Sequence, residues 1–190
     1  MPTRKTALTG PIYQLKITLK NSRPPIWRRI QVTDDTTLAK LHRILQIAMG
    51  WSDYHLHDFT IYGARYSEPS PDDWEPVKDE RRYKLKQLVP GEKSKFVYQY
   101  DFGDSWDHEI LVEKTGLPRE PGVKYPRCLA GKRACPPEDV GGVWGYREFL
   151  EAIRDPEHPE HDGYLEWAGG EFDPEAFDLE EVNRALRSMR

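Results

Sequence analysis

Tyr13, Leu15, Ile17 and Leu19 alternate with Gln14, Lys16, Thr18 and Lys20, the two-residue period of a strand with one buried and one wet face. Such a strand cannot stand alone, because its unpaired backbone groups and its apolar face both need neighbours. Further strands are therefore required, and the same period recurs downstream. After the Pro24-Pro25 break, Ile26, Ile30 and Val32 share a face with Arg28, which sets a cation among apolar side chains, where an unpaired charge is costly. Arg28 is therefore expected either to meet a carboxylate, from Asp58, Asp101 or Asp107, or to leave the core near the sheet edge. His55 to Tyr62 reads as another strand. Phe96, Tyr98, Tyr100 and Phe102 alternate with Val97, Gln99 and Asp101, and Trp106 to Glu113 alternates again after Gly103-Asp104-Ser105, the pattern of a hairpin with a Gly-bearing turn. A three-residue loop there sets Phe102 opposite Trp106, Asp101 opposite Asp107 and Tyr100 opposite His108. Two facing carboxylates repel unless water, an arginine or a metal relieves them.

Between these strands the period changes. Thr36 or Thr37 can cap a helix to Met49, with Leu38, Leu41, Leu45 and Met49 on one side and Gly50 placed to end it. His42 lies beside that stripe and reads as a packed, hydrogen-bonded residue of the core edge. Gly63 to Lys84 is polar and reads as a surface excursion. Beyond Pro118, a Pro- and Gly-rich connection leads to helices over Tyr146–Arg154, Glu160–Ala168 and Leu179–Arg187, the last started by Asp178 with Glu181 as a capping-box-like pair. Strands first and helices last predict an α+β fold: a mostly antiparallel sheet, one helix between early strands, and a C-terminal group of helices. The whole chain, 1–190, reads as a single domain, strand-rich over 11–114, connected by 115–143 to a helical part over 144–190.

No run reaches the roughly 20 apolar residues of a membrane span, and the start MPTRKTALTG lacks the apolar segment of a secretory signal. Cys128 and Cys135 are the two cysteines, too few for a disulfide scaffold. The expectation is a cytoplasmic protein with reduced thiols and no membrane partner. The net charge of −4 divides unevenly, with a positive balance over residues 1–100 and a larger negative one over 101–190. That polarity suits either an anionic partner for the first part or mutual attraction within one domain.

Several runs go beyond what a fold needs: Pro25-Ile26-Trp27-Arg28-Arg29, Leu41-His42, Gly50-Trp51, His55-Leu56-His57, Tyr100 to His108, and Pro136-Pro137-Glu138-Asp139. In this order they resemble the plasmid pRiA4b ORF-3-like family, from about Tyr13 to the C-terminal helices. The resemblance implies an α+β domain of unassigned activity and brings no catalytic residues with it. Many members carry cysteine at the position of Val140, so a thiol trio is absent here. Some members bear a resolvase label, which implies a link to mobile elements. Strand exchange needs a nucleophile among arginines and a DNA-reading element; the sequence shows no arginine cluster around a nucleophile, and its acidic C-terminal helices are poorly suited to enter a groove.

The ligand-type residues are His55, His57, Asp58, Asp101, Asp104, Asp107 and His108. His55 and His57 are two apart on the expected strand and so share a face, a spacing a transition metal can use. No cofactor motif is present, and a divalent metal is the cofactor these residue types allow. The first functional reading is a binding or interaction module with a protein or small-molecule partner, because no nucleophile stands in relation to a base. A metal-dependent hydrolase built on the His/Asp set is the alternative. A nucleic-acid accessory protein using Lys16, Lys20, Arg23, Arg28, Arg29, Arg81 and Arg82 is another.

Overall fold

Ile12–Leu19 forms the first strand, β1, and its alternation has the expected result: Leu15, Ile17 and Leu19 are buried while Gln14, Lys16 and Thr18 are not. The computed structural model of the chain describes residues 10–71, 73 and 75–189. β1 pairs on one side with β2 (Trp27–Thr33) and on the other with β7 (Trp106–Leu117). The remaining strands are β3 (His57–Ile61), β4 (Ala64–Ser67), β5 (Lys78–Asp79), β6 (Lys95–Tyr100) and β8 (Arg127–Lys132). All eight form one sheet in the order β5-β4-β3-β6-β7-β1-β2-β8, antiparallel throughout except for the short β4–β5 pair. The fold is α+β, as the distribution of periods predicts.

One face of this sheet carries the core. Cross-strand partners Phe59 and Tyr98, Tyr100 and Trp106, and Ile17 and Ile110 are all fully buried, each large side chain contributing roughly 1.5–3 kcal/mol on leaving water. Helix α1 (Leu38–Met49) adds Leu38, Leu41, Ile44 and Leu45 to the same cluster. Thr37 caps its start by accepting from the Lys40 amide at 3.2 Å, and Gly50 ends it at φ +97°, a left-handed position that glycine fills without strain. After the short α2 (Leu85–Leu88) the remaining helices are α3 (Gly142–Arg154), α4 (His161–Trp167) and α5 (Leu179–Ser188). Asp178 caps α5 by accepting from the Glu180 and Glu181 amides.

The hairpin register differs from the expected one. Tyr100 pairs with Trp106, Gln99 with Asp107 and Tyr98 with His108. The turn is longer because Asp101 leaves the strand at φ +57°, its carbonyl accepting from Ser105 N at 2.6 Å and its carboxylate from Gly103 N at 2.9 Å. Asp101 and Asp107 therefore do not face each other, and Phe102 lies in the turn with 43% of its surface exposed.

Arg28 is buried as parity requires, but no carboxylate among the described residues meets it. Its guanidinium donates to the carbonyls of Ala48 at 2.7 Å, Trp27 at 2.9 Å and Lys132 at 3.1 Å and lies 4.4 Å over the Phe177 ring. Ala48 is in the last turn of α1, whose carbonyls lack helical partners and carry partial negative charge; Arg28 caps that end. The stretch from Gly63 to Lys84 is more than an excursion, since it supplies β4, β5 and the 3-10 turn Glu80–Arg82 with Glu80 buried. The connection over 115–143 likewise holds an edge strand, β8, paired with β2.

Candidate functional site

Three of the sequence runs meet at one place although they are far apart in the chain. The segment after α1, Trp51 to Leu56, is fixed by Trp51, whose indole N–H donates to Pro136 O at 3.0 Å and whose ring packs against Tyr100 and Trp106 at 5.0 and 5.9 Å. The Tyr100 hydroxyl donates to Glu138 Oε1 at 2.5 Å and accepts from Tyr54 N at 3.0 Å. Burial, and then that bond to Glu138, raise the Tyr100 pKa well above the usual phenol value. Ser52 N donates to Glu138 Oε2 at 3.3 Å, Asp101 N to Leu56 O at 2.8 Å, and Gly141 N to Asp104 Oδ2 at 3.1 Å. Each loop is thereby held by the other two.

At their junction lie His55, Asp101 and Asp139. His55 Nε2 is 3.0 Å from Asp139 Oδ1 and 3.6 Å from Asp101 Oδ2. It is a buried nitrogen with no aligned hydrogen bond, set between the two carboxylates. Asp101 spends Oδ1 on the Gly103 and Asp104 amides and keeps Oδ2 toward His55. Asp139 is 69% exposed on its side chain, which leaves the junction open to solvent on that side. Asp101 and Asp139 both hold left-handed backbone conformations, at φ +57° and +61°, a strained geometry that clusters at functional positions. Tyr54 and Leu56, on either side of His55, are 80% and 73% exposed. One nitrogen and two carboxylate oxygens within 4.8 Å of one another form a set that a divalent transition ion can take.

His57 is elsewhere. Its ring stacks on His42 at 3.4 Å between centroids and 2° between planes, and its Nε2 lies 2.8 Å from Glu80. His42 Nε2 meets Asp53 at 2.8 Å and its Nδ1 meets the Tyr98 hydroxyl at 2.8 Å, which accepts from Gln46. Burial, and then the adjacent His57, lower the His42 pKa to about 4, against the pull of Asp53. A neutral His42 donating to Asp53 and accepting from Tyr98 satisfies every group of that chain.

The other expected ligands disperse. Asp58 pairs with Arg65 at 2.8 Å, Asp107 with Lys20 at 3.7 Å, and Asp104 holds the Gly141 amide. His108 is fully buried between strands, its Nδ1 3.3 Å from Tyr98 O and its Nε2 without a partner. The cations singled out for nucleic acid do not form one surface. Arg29 pairs with Glu113 at 2.7 Å and, with Lys16, lies near Trp27, while Arg81 and Arg82 pair with Asp79; Arg23 lines a cleft with Asp104 and Asp107. Asp139 and Glu138 were visible in the Pro-Pro-Glu-Asp run but carry no spacing that ties them to His55. Asp53 and Glu80 carry no sequence signal.

A family model described as "Plasmid pRiA4b ORF-3-like protein" matches residues 11–181, a span that includes all three loops. "Uncharacterized protein y4hQ" of Sinorhizobium fredii is 39% identical over 185 residues, covering 96% of this chain and 94% of that protein. The crystal structure of the protein of unknown function MM3350 from Methanosarcina mazei Go1 is similar with a TM-score of 0.82 and 42% identity, over 92% of this chain and 98% of that one.

Proposed function

We propose, from the premise that the chain belongs to the plasmid pRiA4b ORF-3-like family, that it is a binding module whose recognition site is a divalent cation held by His55, Asp101 and Asp139. One observation carries this reading: the buried, unbonded His55 Nε2 at the point where the Asp101 and Asp139 carboxylates converge. A ring nitrogen with no aligned hydrogen bond, facing two carboxylate oxygens, supplies one nitrogen and two oxygen donors that a divalent cation can take. The ion's open positions would take a carboxylate or carbonyl oxygen from a small-molecule or protein partner, whose apolar part would rest on Tyr54 and Leu56. Hydrolysis is the weaker reading, because metal-bound water needs a base to take its proton and the nearby Glu138 carboxylate is committed to Tyr100 and Ser52. The free thiols Cys128 and Cys135 fit a reducing compartment, the cytoplasm. Among the described residues no helix is long and apolar enough to cross a membrane.

The test is titration of chelator-treated, tag-free protein with Mn²⁺ or Zn²⁺ by calorimetry, with thermal unfolding in parallel. One equivalent is expected to bind and to raise the Tm, and His55→Gln and Asp139→Asn are each expected to abolish both effects while His57→Gln keeps them. Protein that binds no divalent ion, or that loses the ion only through His57→Gln, would exclude this site.

A further inference from the structure

α1, the loop over residues 119–127 and α5 border a cleft of about 580 Å³, into which Lys40, Arg43, Arg119, Lys124 and Arg187 project. No carboxylate lines it among the described residues. It runs into a second cleft of about 850 Å³ that shares Lys124 and Arg187 and adds Arg184, with Glu180 as its one acidic lining residue. Lys40, Arg43, Lys124, Arg184 and Arg187 have no ion-pair partner among the described residues, unlike Arg29, Arg81 and Arg82. In a chain whose net charge is −4, unpaired cations gathered along one groove repel one another and destabilise the empty state. The second part of the chain, acidic on balance, supplies most of them, so sequence halves hide the patch.

The groove is also organised. Arg119 and Arg127 flank the Tyr125 ring at 5.3 and 5.4 Å, and Arg119 donates to Gly10 O at 3.3 Å. Those contacts, with the ion pair of Arg127 to Glu120, hold Arg119 and Arg127 in place before any ligand arrives. Two guanidinium groups already lie against the Tyr125 ring, and among the described residues no other aromatic side chain lines either cleft, so successive bases have no row of rings on which to stack. Recognition here is of charge along a line and not of an aromatic ligand.

We infer that this groove binds a linear phosphate polyanion, through contacts to its phosphates and without reading bases. Single-stranded nucleic acid and inorganic polyphosphate share that chemistry. The inference uses none of the residues of the cation site and stands independently of it.

Fluorescence anisotropy of the full chain with a labelled oligothymidylate, and competition by polyphosphate, test it and separate the two sources. Roughly four phosphate contacts give a log–log salt slope of about −3 and hence about a fifty-fold loss of affinity between 50 and 200 mM salt. The double variant Arg43→Ala/Arg187→Ala is expected to weaken binding at least about ten-fold and to flatten the slope by about one unit per cation removed or somewhat less. Arg43→Lys/Arg187→Lys is expected to retain most of it, and Arg81→Ala/Arg82→Ala to change nothing. Displacement by polyphosphate at lower concentration than by unlabelled oligonucleotide assigns the polymer as polyphosphate, and the reverse assigns nucleic acid. No binding of either polymer at about 100 μM, the weak end of non-specific association, or binding indifferent to Arg43 and Arg187, would overturn the inference.

Discussion

His108 shows how a single buried residue sets a property of the molecule. It is enclosed between Leu19 and Tyr98 in the sheet, and burial lowers its pKa to about 4, from an ordinary value of 6.5. The unfolded chain therefore takes up this proton first as pH falls. Stability from His108 is fully present above pH 6.5 and is lost on descending from there to about 4. The full window is worth about 3 kcal/mol. Urea unfolding across that range is expected to show the loss in the wild type and a shallower one in His108→Met, which fills similar volume with nothing to protonate; an unchanged slope in the variant would rule out His108 as the source. Arg28 teaches a related lesson in legibility. Strand parity was enough to bury it, and the need for a partner followed, but the choice of carbonyls over a carboxylate was not readable. The acceptors of Arg28 include Ala48, at the end of a helix twenty residues away in sequence, and only the packed geometry brings that end to β2.

β1, β2, β6, β7 and the helices α1, α3, α4 and α5 were legible because the two periods differ and ends are marked by Thr37, Gly50 and Asp178, whereas β4, β5, α2 and β8 are too short or too irregular to show a period. The hairpin register was not, because it depends on where Asp101 abandons the strand, and an aspartate gives little notice of a left-handed φ. The same turn holds the start of α3. Gly142 sits at φ +69°, and a Cβ on it would come within 2.5 Å of Asp104 O, so glycine is needed there for both conformation and space. Gly142→Ala is expected to cost more than about 1 kcal/mol and to loosen the Asp104–Gly141 contact between hairpin and helix. Chemical denaturation gives the first quantity, and faster hydrogen exchange at the Gly141 amide reports the second. A variant as stable as the parent with the amide still protected would show that the two elements are positioned by other contacts. His55 belongs to this scale as well: expected on a strand with His57, it precedes β3 and faces a different set of partners, because the strand begins only where Tyr100 gives it a ladder partner.

For the molecule as a whole, the α+β plan was readable, whereas the meeting of the His55, Asp101 and Asp139 loops was not. Pairwise spacing along a chain says nothing about which loops a sheet order brings to one end. The basic groove escaped for the same reason, since its cations come from α1, one loop and α5. The sheet order has a further consequence, for synthesis. β1 is an interior strand whose two neighbours differ greatly in sequence distance: β2 follows it at once, while β7 ends at Leu117. On a ribosome the β1–β2 hairpin emerges early with both edges open, that of β1 awaiting β7 and that of β2 awaiting β8, and the chain lengthens at about 5–20 residues per second, so these edges wait seconds for their partners. An unpaired apolar edge is a template for pairing with other chains. Nascent chains stalled with β6 outside the exit tunnel are expected to be protease-sensitive and to recruit holdase chaperones, and those stalled with β8 outside to be resistant; equal resistance at both lengths would show that the hairpin is protected in some other way. A strand enclosed on both sides in the finished sheet is thus left open on one while the protein is being made.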